Sequence, residues 1–132
     1  MHWFNPSALM KLIEIPRGFE TSEETVDVIV NLSKRLGKTP MVCKDSPGFV
    51  VNRILNVWYN EAMRLVDEEA ADVNTIDSAI RQGGGFRTGP MQLRDLVGLD
   101  TKFRPCQCLR DRVAAGHFGC KTGKGFYEYT KE

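Results

Sequence analysis

The sequence predicts a mainly α-helical protein in which a short βαβ unit precedes a helical bundle. Residues 9–15 form a short apolar run closed by Pro16 and Gly18, a pattern typical of a buried strand. Apolar residues then recur at helical spacing, and four later segments carry the start and stop residues of helices. We therefore predict a βαβ unit over residues 1–44 and a helical bundle over residues 45–132, with the boundary between Lys44 and Asp45.

The first unit contains one predicted helix between two predicted strands. Thr21 and Glu24 have the spacing of a capping box, and Gly37 is the predicted helix stop. Residues 40–43 form a second short apolar run. A strand, a helix and a strand in this order predict parallel pairing with a right-handed crossover. Two strands alone make a poor sheet, so the unit is expected to belong to a larger one.

The helical region contains four predicted helices. The first is predicted to have Ser46 as its N-cap and Pro47 at its first position. Its apolar residues surround much of its circumference, which predicts burial on several sides. The others are predicted at residues 73–82 after Asp72, at 91–97 between Gly89-Pro90 and Gly98, and at 106–115 after Pro105.

Two glycine-rich segments are candidates for phosphate binding, and the sequence excludes the first of them. Gly83-Gly84-Gly85 follows a predicted helix and no Lys-Ser/Thr comes after it, so the P-loop interpretation fails and a chain reversal is expected. The basic segment at residues 121–127 could meet a phosphate or form a solvated turn. Its aromatic residues Phe126, Tyr127 and Tyr129 are expected to hold it against the helices.

Composition and cysteine spacing indicate neither a nucleic-acid-binding protein, nor a membrane protein, nor a zinc protein. The 132 residues are 42% apolar and 27% charged with a net charge of +1, which gives no indication of a nucleic-acid or membrane partner. Cys43, Cys106, Cys108 and Cys120 lack the C-x-x-C spacing of a zinc site, so no metal is expected. Free thiols favour a cytoplasmic protein.

The candidate catalytic residues are His2 and Glu14. If the chain after Pro6 is a strand, the turn before it could bring the two side chains together as a general base with its orienting carboxylate. The alternative is that His2 is an ordinary residue at a frayed start.

Four segments, in order, resemble the L-3-hydroxyacyl-CoA dehydrogenase family, most closely its 3-hydroxybutyryl-CoA branch. They are His-Trp-Phe-Asn-Pro with Met-Lys-Leu-Ile-Glu at residues 2–14, Asp-Ser-Pro-Gly-Phe-Val-Val-Asn-Arg at 45–53, Gly-Pro-Met-Gln-Leu-Arg-Asp-Leu-Val-Gly-Leu-Asp at 89–100, and Lys-Thr-Gly-Lys-Gly-Phe-Tyr-Glu-Tyr at 121–129. They extend over nearly the whole chain.

The resemblance implies a fold and a division of labour. In this family a Rossmann domain binds NAD, and the resemblance implies that the βαβ unit of residues 1–44 is a remnant of that domain. A helical domain like the C-terminal domain of 6-phosphogluconate dehydrogenase supplies the homodimer interface and one wall of the acyl-CoA cleft. By resemblance His2 is the catalytic base, Glu14 its carboxylate and Asn52 a substrate contact. Residue statistics alone would make Asn52 a solvated helix residue.

Two departures from the family pattern qualify these implications. No Gly-x-Gly-x-x-Gly fingerprint occurs, so the sequence resembles a C-terminal piece that is inactive alone. About one helix of the family pattern is also absent after Asp100, either as a natural deletion or as residues omitted from the sequence. That absence puts the dimer interface in doubt more than His2 or Glu14.

The sequence therefore favours the C-terminal part of an NAD-dependent 3-hydroxyacyl-CoA dehydrogenase of fatty-acid β-oxidation or butanoate metabolism. One alternative is a non-catalytic dimerisation and acyl-CoA-binding module. Another is a relative recruited as a structural protein, which the retained His2 and Glu14 argue against.

Overall fold

A computed structural model describes residues 1–100 and 106–130 of the chain. The described residues form five α-helices, one 3-10 turn and a three-stranded sheet, which agrees with a mainly α chain. The chain divides into two compact units, Met1–Ile54 and Leu55–Glu132, and each is taken separately.

The first unit contains the predicted βαβ element and one strand that was not predicted. Its elements are β1 (His2–Trp3), β2 (Leu12–Arg17), α1 (Glu23–Arg35) and β3 (Thr39–Lys44). β2 and β3 are parallel, as predicted. The sheet order is β1-β2-β3, with β1 antiparallel to β2. Because β1 has only two residues, no periodic pattern could have predicted it.

The prediction of a strand at residues 9–15 was wrong at both ends. Leu9 lies in an exposed turn, where its N–H and that of Met10 donate to the carbonyl of Pro6. The strand instead continues through Pro16 to Arg17. The carbonyls of Lys11 and Arg17 accept the N–H groups of Thr39 and Asp45, on the edge of the strand that faces β3. Because successive residues of a strand alternate between its two edges, the nitrogen of Pro16 faces the opposite edge. β1 pairs there only as far as Glu14, and no ladder hydrogen bond is lost at the proline.

The capping box predicted at Thr21 and Glu24 is not the cap of α1. The N-cap is Ser22, whose hydroxyl accepts the N–H of Thr25 at 3.2 Å. Glu23 and Glu24 instead occupy the first turn, where carboxylates interact favourably with the helix dipole. The stop at Gly37 is confirmed, since Gly37 has φ +70° and its N–H donates to the carbonyl of Lys34.

The first helix of the second predicted region starts later than Ser46. Helix α2 is Val51–Asp67, and the preceding residues form a turn in which Gly48 and Phe49 have positive φ. Left-handed residues cannot continue an α-helix, so the start moves past them. α2 also buries fewer sides than predicted within the described chain, because Ile54 is 66% and Val57 70% exposed.

The remaining helices lie close to their predicted positions. They are α3 (Val73–Gly83), α4 (Pro90–Val97) and α5 (Gln107–Ala114), followed by a 3-10 turn at Cys120–Thr122. Asp72 caps α3 as predicted, accepting the N–H of Thr75 at 2.8 Å. The expected helix start at Pro105 and the shortened join at residues 101–105 lie outside the described residues.

The core of the second unit joins α2, α3, α4 and α5. Its most buried members are Tyr59, Met63, Ile76, Met91, Leu99 and Leu109. The C-terminal aromatic residues attach to this core as predicted, because Phe126 and Tyr127 pack against it and the hydroxyl of Tyr129 donates to Asp95. Within the described residues, no helix has both the length and the apolar character needed to cross a bilayer.

Candidate active site

The pairing of β1 with β2 brings His2 and Glu14 together. The two residues face each other in the antiparallel register, and Nδ1 of His2 lies 2.8 Å from Oε2 of Glu14. They are twelve positions apart in the sequence, and the turn after Pro6 reverses the chain between them. The strand pairing therefore produces the contact between His2 and Glu14 that the sequence analysis described as possible.

Glu14 is fully buried and uses both of its carboxylate oxygens. Oε2 contacts His2, while Oε1 accepts the N–H of Val50 at 3.1 Å and of Val51 at 2.9 Å. These two N–H groups lie at the start of α2. The sequence analysis missed this second role, since Val50 and Val51 lie more than thirty residues from Glu14 and no local pattern connects them.

These contacts keep Glu14 ionised. Burial alone would raise its pKa, but the N–H of Val51, the hydrogen bond from His2 and the N–H of Val50 together outweigh it. The pKa of Glu14 therefore lies below its ordinary value. A buried, charged carboxylate with these partners is a fixed hydrogen-bond acceptor at neutral pH.

The ionised carboxylate selects the tautomer of His2. Because a carboxylate can only accept, Nδ1 of His2 must donate, and in the neutral ring Nε2 is then the acceptor. The imidazole is also held by aromatic neighbours, with the Phe4 ring centroid at 4.9 Å and that of Phe49 at 5.3 Å. With its ring oriented and its side chain 29% exposed, His2 has the arrangement of a general base.

Asn52, the third candidate residue, is half-buried at the second position of α2. It directly follows Val51, whose N–H is bound to Glu14. One carboxylate thus connects the His2 ring with the turn of α2 that carries Asn52. The sequence analysis began this helix at Pro47, which was wrong because α2 begins at Val51.

Lys38 supports the segment that follows His2 and was not predicted from the sequence. Its ammonium group donates to the carbonyls of Ser7 at 2.6 Å and Met10 at 2.9 Å, and it lies 5.8 Å from the centroid of the Trp3 ring. A cation that bonds several carbonyls fixes the course of the chain between them. Lys38 therefore helps hold the turn that sets the register of β1 on β2.

The described residues do not form a binding site for the pyrophosphate of a dinucleotide. Such a site needs a glycine-rich turn between a strand and the N-terminus of a helix. The turn between β2 and α1 has a single glycine, Gly18, and Glu23 and Glu24 occupy the first turn of the helix. These carboxylates would repel a phosphate where the helix dipole would otherwise attract it.

Two family models together match most of the chain. Residues 1–46 match the model described as "3-hydroxyacyl-CoA dehydrogenase, NAD binding domain". Residues 48–102 match the model described as "3-hydroxyacyl-CoA dehydrogenase, C-terminal domain".

Curated relatives are similar over nearly all of the chain. A probable 3-hydroxybutyryl-CoA dehydrogenase of Deinococcus radiodurans is 42% identical over 98% of this chain and 52% of its own length. Human mitochondrial hydroxyacyl-coenzyme A dehydrogenase is 43% identical over 98% of this chain and 46% of its own length. The chain therefore spans about half the length of the curated relatives it matches. The first alignment runs over 144 positions, more than the 132 residues of the chain, so the relative has residues that this chain lacks.

Solved structures show the same similarity in three dimensions. The (S)-3-hydroxybutyryl-CoA dehydrogenase of Ralstonia eutropha aligns with a TM-score of 0.93 and 43% identity, over 99% of this chain and 52% of its own. The 3-hydroxybutyryl-CoA dehydrogenase of Escherichia coli aligns with a TM-score of 0.89 and 36% identity, over 99% of this chain and 31% of its own.

Proposed function

Because the chain belongs to the 3-hydroxyacyl-CoA dehydrogenase family, we propose that it carries the proton-transfer base of such a dehydrogenase. The reaction is the oxidation of the 3-hydroxyl of an acyl-CoA to a ketone, and the reverse reduction. The observation that carries the proposal is the 2.8 Å contact between Nδ1 of His2 and the buried carboxylate of Glu14.

His2 performs the proton step. In oxidation, the unprotonated Nε2 takes the proton of the substrate's 3-hydroxyl, and the imidazolium that forms is stabilised by the ionised Glu14. In reduction the same Nε2–H returns the proton to the developing alkoxide. General acid–base catalysis of this kind contributes roughly 10²–10⁴-fold to a rate.

Asn52 serves as a substrate contact. A neutral amide can hold the oxygen at the reacting carbon by donating a hydrogen bond, and it does not compete with His2 for the proton. The connection through Val51 and Glu14 supports this role, because it fixes the start of α2 relative to the His2 ring.

NAD is the cofactor of the family domain that residues 1–46 match. No Gly-x-Gly-x-x-Gly turn occurs in the 132 residues, so we propose that the chain acts together with a separate nucleotide-binding segment and is inactive alone. The division between the NAD-domain portion, residues 1–44, and the helical domain, residues 45–132, is close to the junction of the two family models.

The finer features of the family complete the proposal. The helical domain has the architecture of the 6-phosphogluconate dehydrogenase C-terminal domain and forms a homodimer. The substrate is a short-chain acyl-CoA of β-oxidation or butanoate metabolism in the cytoplasm. The names of the D. radiodurans and R. eutropha relatives support the choice of a 3-hydroxybutyryl-CoA.

Complementation tests this function. The chain is mixed with the separately expressed part of the R. eutropha dehydrogenase that it does not cover, and NADH oxidation is followed with acetoacetyl-CoA. We expect no turnover from either part and measurable turnover from the mixture. If the two parts associate without any turnover, the chain is a non-catalytic acyl-CoA-binding or dimerisation module instead.

A further inference from the structure

Two cysteines and a carboxylate meet at the start of α5, within the second unit. Sγ of Cys106 lies 3.2 Å from Sγ of Cys108, and a carboxylate oxygen of Asp67 completes a group whose ligand atoms all lie within 4.8 Å of one another. The C-x-C spacing is not that of a common zinc motif. Folding thus creates a cluster that the proposed dehydrogenase reaction does not use.

Cys106 has the properties of an attacking thiolate. It is the N-cap residue of α5, and its side chain is half-buried. The hydrogen bond between the two sulfurs and the N–H of Leu109 outweigh burial and the charge of Asp67, and they lower the pKa of Cys106 to about 7. A low pKa and a helix N-terminus are the environment in which cysteines become nucleophilic.

Cys108 has the complementary properties of a resolving thiol. It is buried, and its sulfur lies 3.6 Å from the carbonyl of Met63. The hydrogen bond to Cys106, burial and the nearby Asp67 all raise its pKa, so the thiol keeps its proton. Asp67 is held in place by the N–H groups of Gln107 at 2.9 Å and Cys108 at 2.8 Å.

We propose that Cys106 and Cys108 are a reversible dithiol–disulfide pair. The Cys106 thiolate attacks one oxygen of hydrogen peroxide, and the O–O bond breaks to give a sulfenic acid and hydroxide. The sulfur of Cys108 then attacks the sulfenic sulfur, its proton passing by way of Asp67 to solvent and hydroxide leaving. Counted from the two thiols, the pair loses two protons and two electrons in total, and peroxide is reduced to two molecules of water.

The geometry suits this step better than a metal site. A disulfide needs a sulfur–sulfur distance near 2.05 Å, so the two Sγ atoms, now 3.2 Å apart, must approach by about 1 Å. A zinc ion would require both sulfurs as thiolates, whereas the surroundings of Cys108 favour its protonated form.

Mass spectrometry tests the proposal in a variant that keeps only this pair of cysteines. In a Cys43→Ser/Cys120→Ser chain, one equivalent of hydrogen peroxide should remove two hydrogen atoms, and peptide mapping should find a link between Cys106 and Cys108. Dithiothreitol should restore the original mass. If the double variant does not keep the parent circular dichroism, the same mapping is done on the unsubstituted chain.

Single substitutions separate the two roles. With Cys108→Ser, oxidation should stop at a sulfenic acid that a dimedone probe captures on Cys106. With Cys106→Ser, Cys108 should react several times more slowly with peroxide than Cys106 does in the parent. Two results would overturn the proposal: independent over-oxidation of the two sulfurs without a link, or stoichiometric zinc held by both thiols in the reduced chain.

Discussion

Glu14 is the residue on which the candidate site depends. One of its oxygens orients His2, and the other accepts the first N–H groups of α2. A glutamine of the same size could keep the contact with the N–H groups but would present an amide with no charge. The Glu14→Gln substitution therefore tests the effect of the charge at position 14 while the size of the side chain stays the same.

We predict that Glu14→Gln lowers the free energy of unfolding by roughly 1–3 kcal/mol, the usual cost of leaving a buried polar group unsatisfied. His2 also loses the acceptor that selects its tautomer. The measurement is urea unfolding followed by circular dichroism. Glu23→Gln is the matched control, because Glu23 is exposed and its ion pair with Arg17 contributes little; equal losses in both variants would contradict this role of Glu14.

The charge of Glu14 also predicts a pH dependence. Its folded-state pKa lies below its ordinary value of 4.5, so the unfolded chain binds the proton more tightly. The stabilisation is therefore fully present above about pH 5 and is lost as pH falls through the folded-state pKa. Unfolding free energies of the parent and the Glu14→Gln chain, measured from pH 7 to pH 3, should converge at low pH; parallel curves would be inconsistent with an ionised Glu14.

Among the residues that the structure describes, three helices are capped by carboxylates from other elements. Glu14 of β2 bonds N–H groups at the start of α2, Asp77 of α3 does so for α4, and Asp67 of α2 does so for α5. By contrast, α1 and α3 are capped by the adjacent Ser22 and Asp72. Local patterns predicted α3 and its cap correctly and misplaced the start of α2, because its capping group lies in a distant strand.

We predict that a carboxylate that caps a helix from another element contributes more to stability than an exposed carboxylate does. Asp77 accepts the N–H groups of Met91 and Gln92 and the hydroxyl of Tyr127. Asp77→Asn should therefore lower the free energy of unfolding by about 1–3 kcal/mol. The exposed Asp27→Asn should change it by less than about 0.5 kcal/mol. Both changes are measured by thermal unfolding. An Asp77→Asn chain with the stability of the parent would mean that the cap does not stabilise α4.

For the whole molecule, the sequence predicted the order of elements better than their ends. The parallel βαβ unit, the Asp72 cap and the attachment of the aromatic tail are confirmed, because the pattern that predicts each of them lies within a short segment of the sequence. The pairing of β1, the second contact of Glu14 and the Cys106–Cys108–Asp67 cluster depend on contacts across 12 to 41 residues. Such contacts follow from the fold and have no local signature.

The exposed valine of α2 allows a prediction about association. Val57 is 70% exposed, and we propose that the chain forms a homodimer to which this side of the helix contributes. Light scattering should give about twice the 14.9 kDa mass of the chain, and Val57→Lys should reduce it to that of the monomer. Val28→Lys on α1 is the matched control, since Val28 is also an exposed valine; a parent monomer, or a dimer unaffected by Val57→Lys, would refute this surface.

The most direct test of the account substitutes each of the two histidines in the complementation mixture. NADH oxidation with acetoacetyl-CoA is measured for the parent, for His2→Gln and for the matched control His117→Gln. We predict that His2→Gln lowers turnover by roughly 10²–10⁴-fold, the contribution of a general acid–base group, and that His117→Gln retains it. Full turnover by His2→Gln would contradict the assignment of His2 as the base.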